Sequence, residues 1–303
     1  MQLLIYYASY LYFIAVPVIL WLMIRKDWRV RRVLLGLFLA GISVLAYARF
    51  VEPRILLVKE HELNICTAEA LGEVRAAVFS DTHNGIFGNA MPVARIVDRV
   101  NGLDADLVLI PGDFTYHPPA DELPELFASL ADLTAPAFAV MGNHDVGLSG
   151  EDLTEPLIDT LEAVGVAVLD GDAAATEVNG QPVNIIGLPD HWGAQRDFDW
   201  VAPEQPISGA FTFAIEHNPD VLEQRRTLPE FDLMISGHTH GGQINIPLVT
   251  CALTFACDVH RYGFSEERRG NLFVTSGTGM VGLPMRFNVP PVIDMLTISY
   301  GPC

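Results

Sequence analysis

Hydrophobic and polar positions along the 303-residue chain fall into two regimes. The first is continuous. Leu3 to Ile24 is a 22-residue run without a charged side chain, long enough to cross a bilayer as a helix. Val33 to Ala48 is a second run of 16 residues. It spans if Arg49 snorkels to the interface, and is otherwise a buried or interfacial helix. The second regime, from about residue 71, is punctuated. Short apolar runs stop at Gly or polar clusters and alternate with stretches of helical character at Met91–Asn101, Asp121–Leu133 and Glu151–Val164. Strands alternating with helices predict an α/β fold with a mostly parallel sheet. Pro118-Pro119 and Pro203 to Pro206 mark surface loops. The pattern divides the chain into membrane-anchor segments at 1–51, a connector at 52–70 and one domain at 71–303.

Charge orients the first regime. Arg25, Lys26, Arg29, Arg31 and Arg32 fill the connection between the two runs, and no basic residue precedes the first. The positive-inside rule places that connection in the cytoplasm and the domain on the external side of the membrane, although Arg49, Arg54 and Lys59 weigh the other way. Arg31-Arg32, the apolar stretch and Ala46-Tyr47-Ala48 resemble an export signal with a small-residue cleavage site; after a preceding hydrophobic run it reads as an anchor. Half the chain is hydrophobic, and the excess lies in this region. From 71 onward, 32 acidic residues face 10 arginines and no lysine, a formal charge of −22. Such a surface repels polyanions, so nucleic acid is excluded as a partner. Of the four cysteines, Cys66, Cys251, Cys257 and Cys303, none forms a CxxC. Three pairings are open, and export would permit disulfides.

Chemistry gathers where the apolar runs end. Leu233–Ile235 is followed by GHTHGG, with His238 and His240 one residue apart. VRAAVFSDTH ends in Asp81 and His83, DLVLIPGD in Asp113, AFAVMGNHD in Asn143, His144 and Asp145, and AFTFAIEHNPD in His217. Carboxylate, imidazole and amide oxygen are the donors that hold hard or borderline divalent metals. In a parallel sheet, ligands gather beyond the carboxyl ends of the strands, so five such ends can share one crevice. A lone Asp there is a turn or cap residue in most proteins, and a lone His a structural one; five clusters together favour metal. Five of the nine histidines sit in these clusters, and His61, His117, His191 and His260 read as surface or rim residues.

The order DxH, GD, GNHD, HNPD and GHTHGGQ resembles the calcineurin-like metallophosphoesterase superfamily over residues 72 to 303. GTGMVGLPMRFNVPP (277–291), with GGQINIP, is similar to its membrane-associated or exported branch, typified by the bacterial YkuE and YaeI phosphodiesterases. Two departures are Phe114-Thr115-Tyr116 after GD, where the branch often carries an acidic residue, and Val292-Ile293-Asp294 near the last strand, where it tends to carry Pro-Glu. The resemblance implies an α/β/β/α sandwich after the transmembrane helices, and two divalent metal ions (Mn, Zn, Fe or Co). It puts Asp81, His83, Asp113 and His240 on one ion and Asp113, Asn143, His217 and His238 on the other, with Asp113 as bridge. It implies hydrolysis of a phosphodiester or pyrophosphate by metal-activated hydroxide, with a lipid or envelope precursor as the substrate suggested by the anchor. His144 would contact the phosphate or protonate the leaving oxygen. Asp145 would orient His144, or cap the following helix. Arg286 would bind a second phosphate or head group, or form a structural ion pair. A phosphomonoesterase for soluble nucleotides or sugars, or a non-catalytic metal-binding sensor, are the alternatives.

Overall fold

The fold is that of a computed structural model, which describes residues 2–23, 28–148, 150–190, 192, 207–224, 228–246 and 260–303. Two helices come first, α1 (Gln2–Met23) and α2 (Trp28–Ala46). α1 carries no charge over its 22 residues, and Arg32–Arg54 is a 23-residue stretch long and apolar enough to cross a membrane. α2 starts before the apolar run, so Arg32 belongs to its first turns rather than to a loop. Arg25 and Lys26 lie outside the described residues. α2 ends in a π-turn, Tyr47–Val51. Arg49 in that turn does not snorkel: it is fully buried, its guanidinium among the rings of Tyr6, Tyr10 and Phe50, which corrects the expectation for the second run.

Among the described residues fourteen strands follow: β1 (Leu57–Cys66), β2 (Gly72–Val78), β3 (Asn84–Gly85), β4 (Leu107–Pro111), β5 (Thr115–Tyr116), β6 (Ala137–Val140), β7 (Val166–Val168), β8 (Ala173–Val178), β9 (Gln181–Gly187), β10 (Phe211–Ile215), β11 (Leu233–Ser236), β12 (Gly263–Glu267), β13 (Gly270–Val274) and β14 (Val292–Gly301). They form two six-stranded sheets, in the orders β1-β14-β2-β4-β6-β7 and β12-β13-β11-β10-β9-β8, with β3 and β5 a small pair apart. β2, β4, β6 and β7 run parallel, as do β9, β10, β11 and β13.

Alternation along each strand assigns its two faces. Val74, Ala76 and Val78 of β2 meet Phe213, Ile215 and Ile235 of the second sheet in a core between the sheets. Ala77 and Phe79 point the other way, into a layer with Ile96 and Val100 of α3 (Val93–Asn101), Leu123 and Phe127 of α4 (Leu123–Phe127), and Leu157 and Leu161 of α5 (Thr154–Ala163). The outer face of the second sheet packs Ala214, Met234 and Leu272 on Val221 and Leu222 of α6 (Val221–Gln224). The result is the expected α/β/β/α sandwich. Strands buried on both faces read as unbroken apolar runs, which is why they are visible in the sequence.

Three expectations are corrected. The stretch 52–70 is no connector: β1 pairs in parallel with β14 over ten residues, from Leu57 opposite Val292 to Cys66 opposite Gly301. The helix expected at Asp121–Leu133 is only Leu123–Phe127, flanked by 3-10 turns at Ala120–Glu122 and Ala128–Asp132; Pro124 starts it and its hydrogen bonding tightens after Phe127. His260 is not a surface residue, and His61 is only partly exposed. His61 Nε2 lies 2.9 Å from Asp294 Oδ1, and His260 is buried 3.4 Å from Glu267 Oε1. Asp294 also accepts from Tyr262 Oη and Thr275 Oγ1, each at 2.6 Å, so one buried carboxylate of β14 stitches the two sheets. Cys66 pairs with Cys303 in a disulfide, with Cα atoms 5.4 Å apart. His191, Cys251 and Cys257, and the loop at Pro203 to Pro206, lie outside the described residues.

Candidate metal centre

The carboxyl ends of β2, β4 and β6 in one sheet and of β10 and β11 in the other open on the same edge of the sandwich. Cross-links between the sheets hold that edge closed. The backbone N–H of His238 donates to both oxygens of Asp81, at 3.1 and 3.2 Å. The His217 ring, through Nδ1, donates to the Pro111 carbonyl at 2.7 Å, which turns Nε2 toward Asp113. His83 Nδ1 lies 3.2 Å from the Thr115 carbonyl and is fixed the same way.

Asp81, His83, Asp113, His238 and His240 all hold left-handed backbone, with φ from 45° to 69°. Each such residue costs about 1–3 kcal/mol, tolerated where the surroundings over-determine it and typical of functional sites. Glycines make the room. A Cβ on Gly237 would lie 2.5 Å from both Asp81 Oδ2 and Ser80 Oγ, so only glycine fits between Ser236 and His238.

Two groups of donor atoms result. Asp81, His83 and His240 form one; Asp113, His217 and His238 form the other. His83 Nε2 and His240 Nε2 are 3.0 Å apart, and His240 Nε2 is 3.4 Å from Asp81 Oδ1. His238 Nδ1 is 2.9 Å from Asn143 Oδ1 and 3.2 Å from His217 Nε2. Asp113 Oδ2 joins the groups, 3.1 Å from His217 Nε2 and 3.5 Å from His83 Nε2. Imidazole nitrogens this close, beside carboxylates with almost no solvent contact, crowd lone pairs and negative charge that cations relieve; the residues fit a metal pair.

Electrostatics agree. Burial pushes His83, His238 and His240 well below the ordinary imidazole value, so they stand neutral as ligands must. Burial also raises Asp81, and raises Asp113 to about 7. On His217 burial acts downward, but the Asp113 and Asp81 carboxylates outweigh it and hold the ring well above its ordinary value.

The other expected residues divide. His144 is half-buried at the edge of the centre, its ring 5.0 Å from that of His83, and burial pushes it down to about 4. It borders a cavity of about 220 Å³, shared with His117, Pro118, Gly150, Glu151 and Leu153. A larger cavity of about 750 Å³, between Thr67 and Asp232, lies at the opposite edge of the sheets, away from every clustered residue. Asp145 does not orient His144. Its oxygens are taken by the backbone N–H groups of Phe114, Thr115 and Gly142 and by Thr115 Oγ1, at 2.8 to 3.2 Å, so it clamps the Asp113 loop to the Asn143 loop. Arg286 does not line the cleft. It is wholly buried, donating to the carbonyls of Gly279 (2.6 Å), Ser276 (3.0 Å) and Val289 (3.1 Å), with Nη2 3.4 Å from His240 Nδ1. A guanidinium wholly buried and turned onto carbonyls behind a ligand is not presented to a phosphate in the cleft. Residues not anticipated are Trp192, whose ring meets that of His238 edge-on at 4.5 Å, and Tyr116, 5.6 Å from His83; an aromatic beside a ligand has no motif of its own.

A parallel-sheet sandwich that ends in two His/carboxylate groups joined by one aspartate is the scaffold of a metal-dependent phosphoric ester hydrolase. The family model for calcineurin-like phosphoesterases matches residues 74–242, and the chain belongs to that family, which uses two divalent metals. It is 26% identical over 259 residues to the uncharacterized metallophosphoesterase YkuE of Bacillus subtilis, covering 84% of this chain and 89% of that one. It is 28% identical over 268 residues to phosphodiesterase YaeI of Escherichia coli, covering 86% and 94%. A zebrafish transmembrane protein with a metallophosphoesterase domain is 28% identical over 242 residues, covering 72% of this chain and 51% of its own.

Proposed function

We propose that this chain is a membrane-anchored hydrolase of phosphodiester or pyrophosphate bonds, acting on a lipid-borne or envelope precursor with its domain on the external side. The observation that carries the chemistry is Asp113 Oδ2, within 3.5 Å of an imidazole from each donor group. Asp81, His83, Asp113 and His240 would hold one ion and Asp113, Asn143, His217 and His238 the other, and the chemistry such a pair would supply is water activation and charge neutralisation at the phosphoryl oxygens. Asn143 adds a ligand oxygen without adding charge. The half-buried His144 ring meets the substrate phosphate or its leaving oxygen at the rim of the adjoining cavity. Asp145 keeps Asp113 and Asn143 in register. Arg286 backs His240 and acts on substrate only through it.

Membrane anchoring is supported by the uncharged α1, by the apolar stretch Arg32–Arg54 and by the likeness to a relative named as transmembrane. The Cys66–Cys303 disulfide supports an oxidising compartment. The test is a panel: full-length protein in detergent, loaded in turn with Mn, Zn, Fe and Co, against bis(p-nitrophenyl) phosphate, p-nitrophenyl phosphate and a nucleotide-linked lipid. Fastest turnover of the lipid pyrophosphate or the diester supports the proposal. Preference for the monoester makes the enzyme a phosphomonoesterase. No turnover with two metals bound makes it a sensor.

A further inference from the structure

The helical hairpin ends against the loops that frame the metal centre. The π-turn after α2 buries Arg49 completely, within the stretch Arg32–Arg54 of membrane-spanning length. Its guanidinium carbon sits 4.9 Å from the ring centres of Tyr6 and Tyr10 and 5.1 Å from that of Phe50. Tyr6 stacks on Phe87, centroids 5.7 Å apart and planes 19° apart. Phe87 meets Tyr116 at 5.0 Å, and Tyr116 meets His83 at 5.6 Å and His144 at 5.3 Å. Phe87 and Tyr116 are buried with Met280 in a cluster that Tyr6 completes. An unbroken series of ring contacts thus runs from the first turns of α1 to the imidazoles.

A second route uses the backbone. The Ala48 carbonyl accepts from the Arg286 N–H at 3.0 Å, and the Arg286 guanidinium stands 3.4 Å behind His240. The Arg49 carbonyl accepts from Asn89 Nδ2 at 3.2 Å, and Asn89 also donates to the Pro284 carbonyl at 3.3 Å. Glu52 Oε1 accepts from the Val289 N–H at 2.7 Å. The root of the hairpin therefore reaches His83 and His144 on one side and His240 on the other.

A tether needs one covalent link and a wet joint. Here the joint is a buried cation faced by aromatic rings, costly to expose half-made. His83 and His240 hold left-handed backbone, which persists only while the surroundings enforce it. We infer that the hairpin is a wall of the metal centre rather than a tether, and that Tyr6 and Arg49 are positioning residues for its histidines. The kinetic part of this inference rests on the proposed hydrolysis; the ligand geometry does not.

The test uses the full chain in detergent micelles, loaded with cobalt(II), whose visible spectrum reports ligand geometry. Tyr6→Ala removes the stacked ring, Tyr6→Phe keeps it, and Gly88→Ala sets a methyl 3.3 Å from Tyr6 Oη as a milder push. Tyr6→Ala is expected to bind two cobalt ions with an altered spectrum, and to lower kcat on bis(p-nitrophenyl) phosphate about tenfold with KM nearly unchanged, because small misplacement of reacting groups is costly. Tyr6→Phe should restore the wild-type spectrum and rate, and Gly88→Ala should fall between. A wild-type spectrum and kcat in Tyr6→Ala overturns the inference, and so does equal damage from Tyr6→Phe. If Tyr6→Ala does not fold, an unperturbed Gly88→Ala overturns it. If the wild type fails to cleave the diester, the functional reading fails while the spectra still decide the positioning.

Discussion

The backbone N–H of His144 donates to Asp113 Oδ1 at 2.9 Å, which leaves Asp113 Oδ2 free to face His217 and His83. One carboxylate thus ties the loop after β6 to the loop after β4 and still presents a bridging oxygen. Asp113→Asn should keep the tie, through its amide oxygen, and lose the shared anion. Activity should fall by roughly a thousandfold, and bound metal should drop from two ions per chain, as measured by elemental analysis after gel filtration. Two tightly held ions at a near-normal rate would remove Asp113 from the bridge.

His144 sits beside the donors without belonging to either group. His144→Ala should lower kcat about a hundredfold while both metals stay bound, whereas His238→Ala should lose metal. The comparison is metal content against kcat for the two variants. Equal metal loss would make His144 a ligand.

Burial raises Asp113 to about 7, and the carboxylates hold His217 protonated in the metal-free protein. Metal must displace these protons, so affinity should fall as pH drops below about 7, with proton release on binding. Calorimetry in two buffers of different ionisation enthalpy measures that release. The stability of the metal-free protein should run oppositely. Both groups have folded values above their unfolded ones, so their contribution is complete at low pH; that of Asp113 is lost as pH rises through about 7, and that of His217 as pH rises through its own raised value. Urea unfolding at pH 5 and pH 8, with and without metal, checks the sign.

The disulfide closes β1 onto the chain end after β14. Cys303→Ser should cost about 2–4 kcal/mol, or roughly 4–16 °C in Tm, without altering metal content, since the bridge lies at the sheet edge remote from the centre. Thermal unfolding with and without reductant measures it.

Fusions after Cys303 test sidedness. Alkaline phosphatase should be active there and a cytoplasmic-folding fluorescent protein dark, because the basic residues between the hydrophobic runs favour the cytoplasm. The reverse result places the domain inside and makes cytoplasmic precursors the substrates.

Which parts were legible in the sequence follows from the range of the forces involved. β2, β4, β6, β10 and β11 announce themselves because strands buried on both faces are apolar throughout and stop where the donors begin. The approach of Asp81, His83 and His240 follows from parallel strands ending on one edge. β1 was hidden, because LVKEHELNIC is a polar-rich edge strand whose partner lies more than two hundred residues away. Asp145, Arg286 and Arg49 were misjudged for one shared reason. A charged side chain in a motif suggests a substrate contact or a solvent-facing end, yet each of these is satisfied by backbone groups or rings that only the folded chain brings near.

β1 runs parallel to β14, and β14 runs antiparallel to β2. Leu57 therefore enters the sheet at the edge where Val78 leaves it for Asp81, and the hairpin joins the domain at that same edge. Reversing this one strand would have turned the catalytic rim toward open solvent. Under the proposed anchoring by α1 and α2, the direction of β1 would turn the rim toward the membrane surface. Molecules that diffuse in the plane of the membrane then reach it by a two-dimensional search, while those in bulk water must enter the gap from the side.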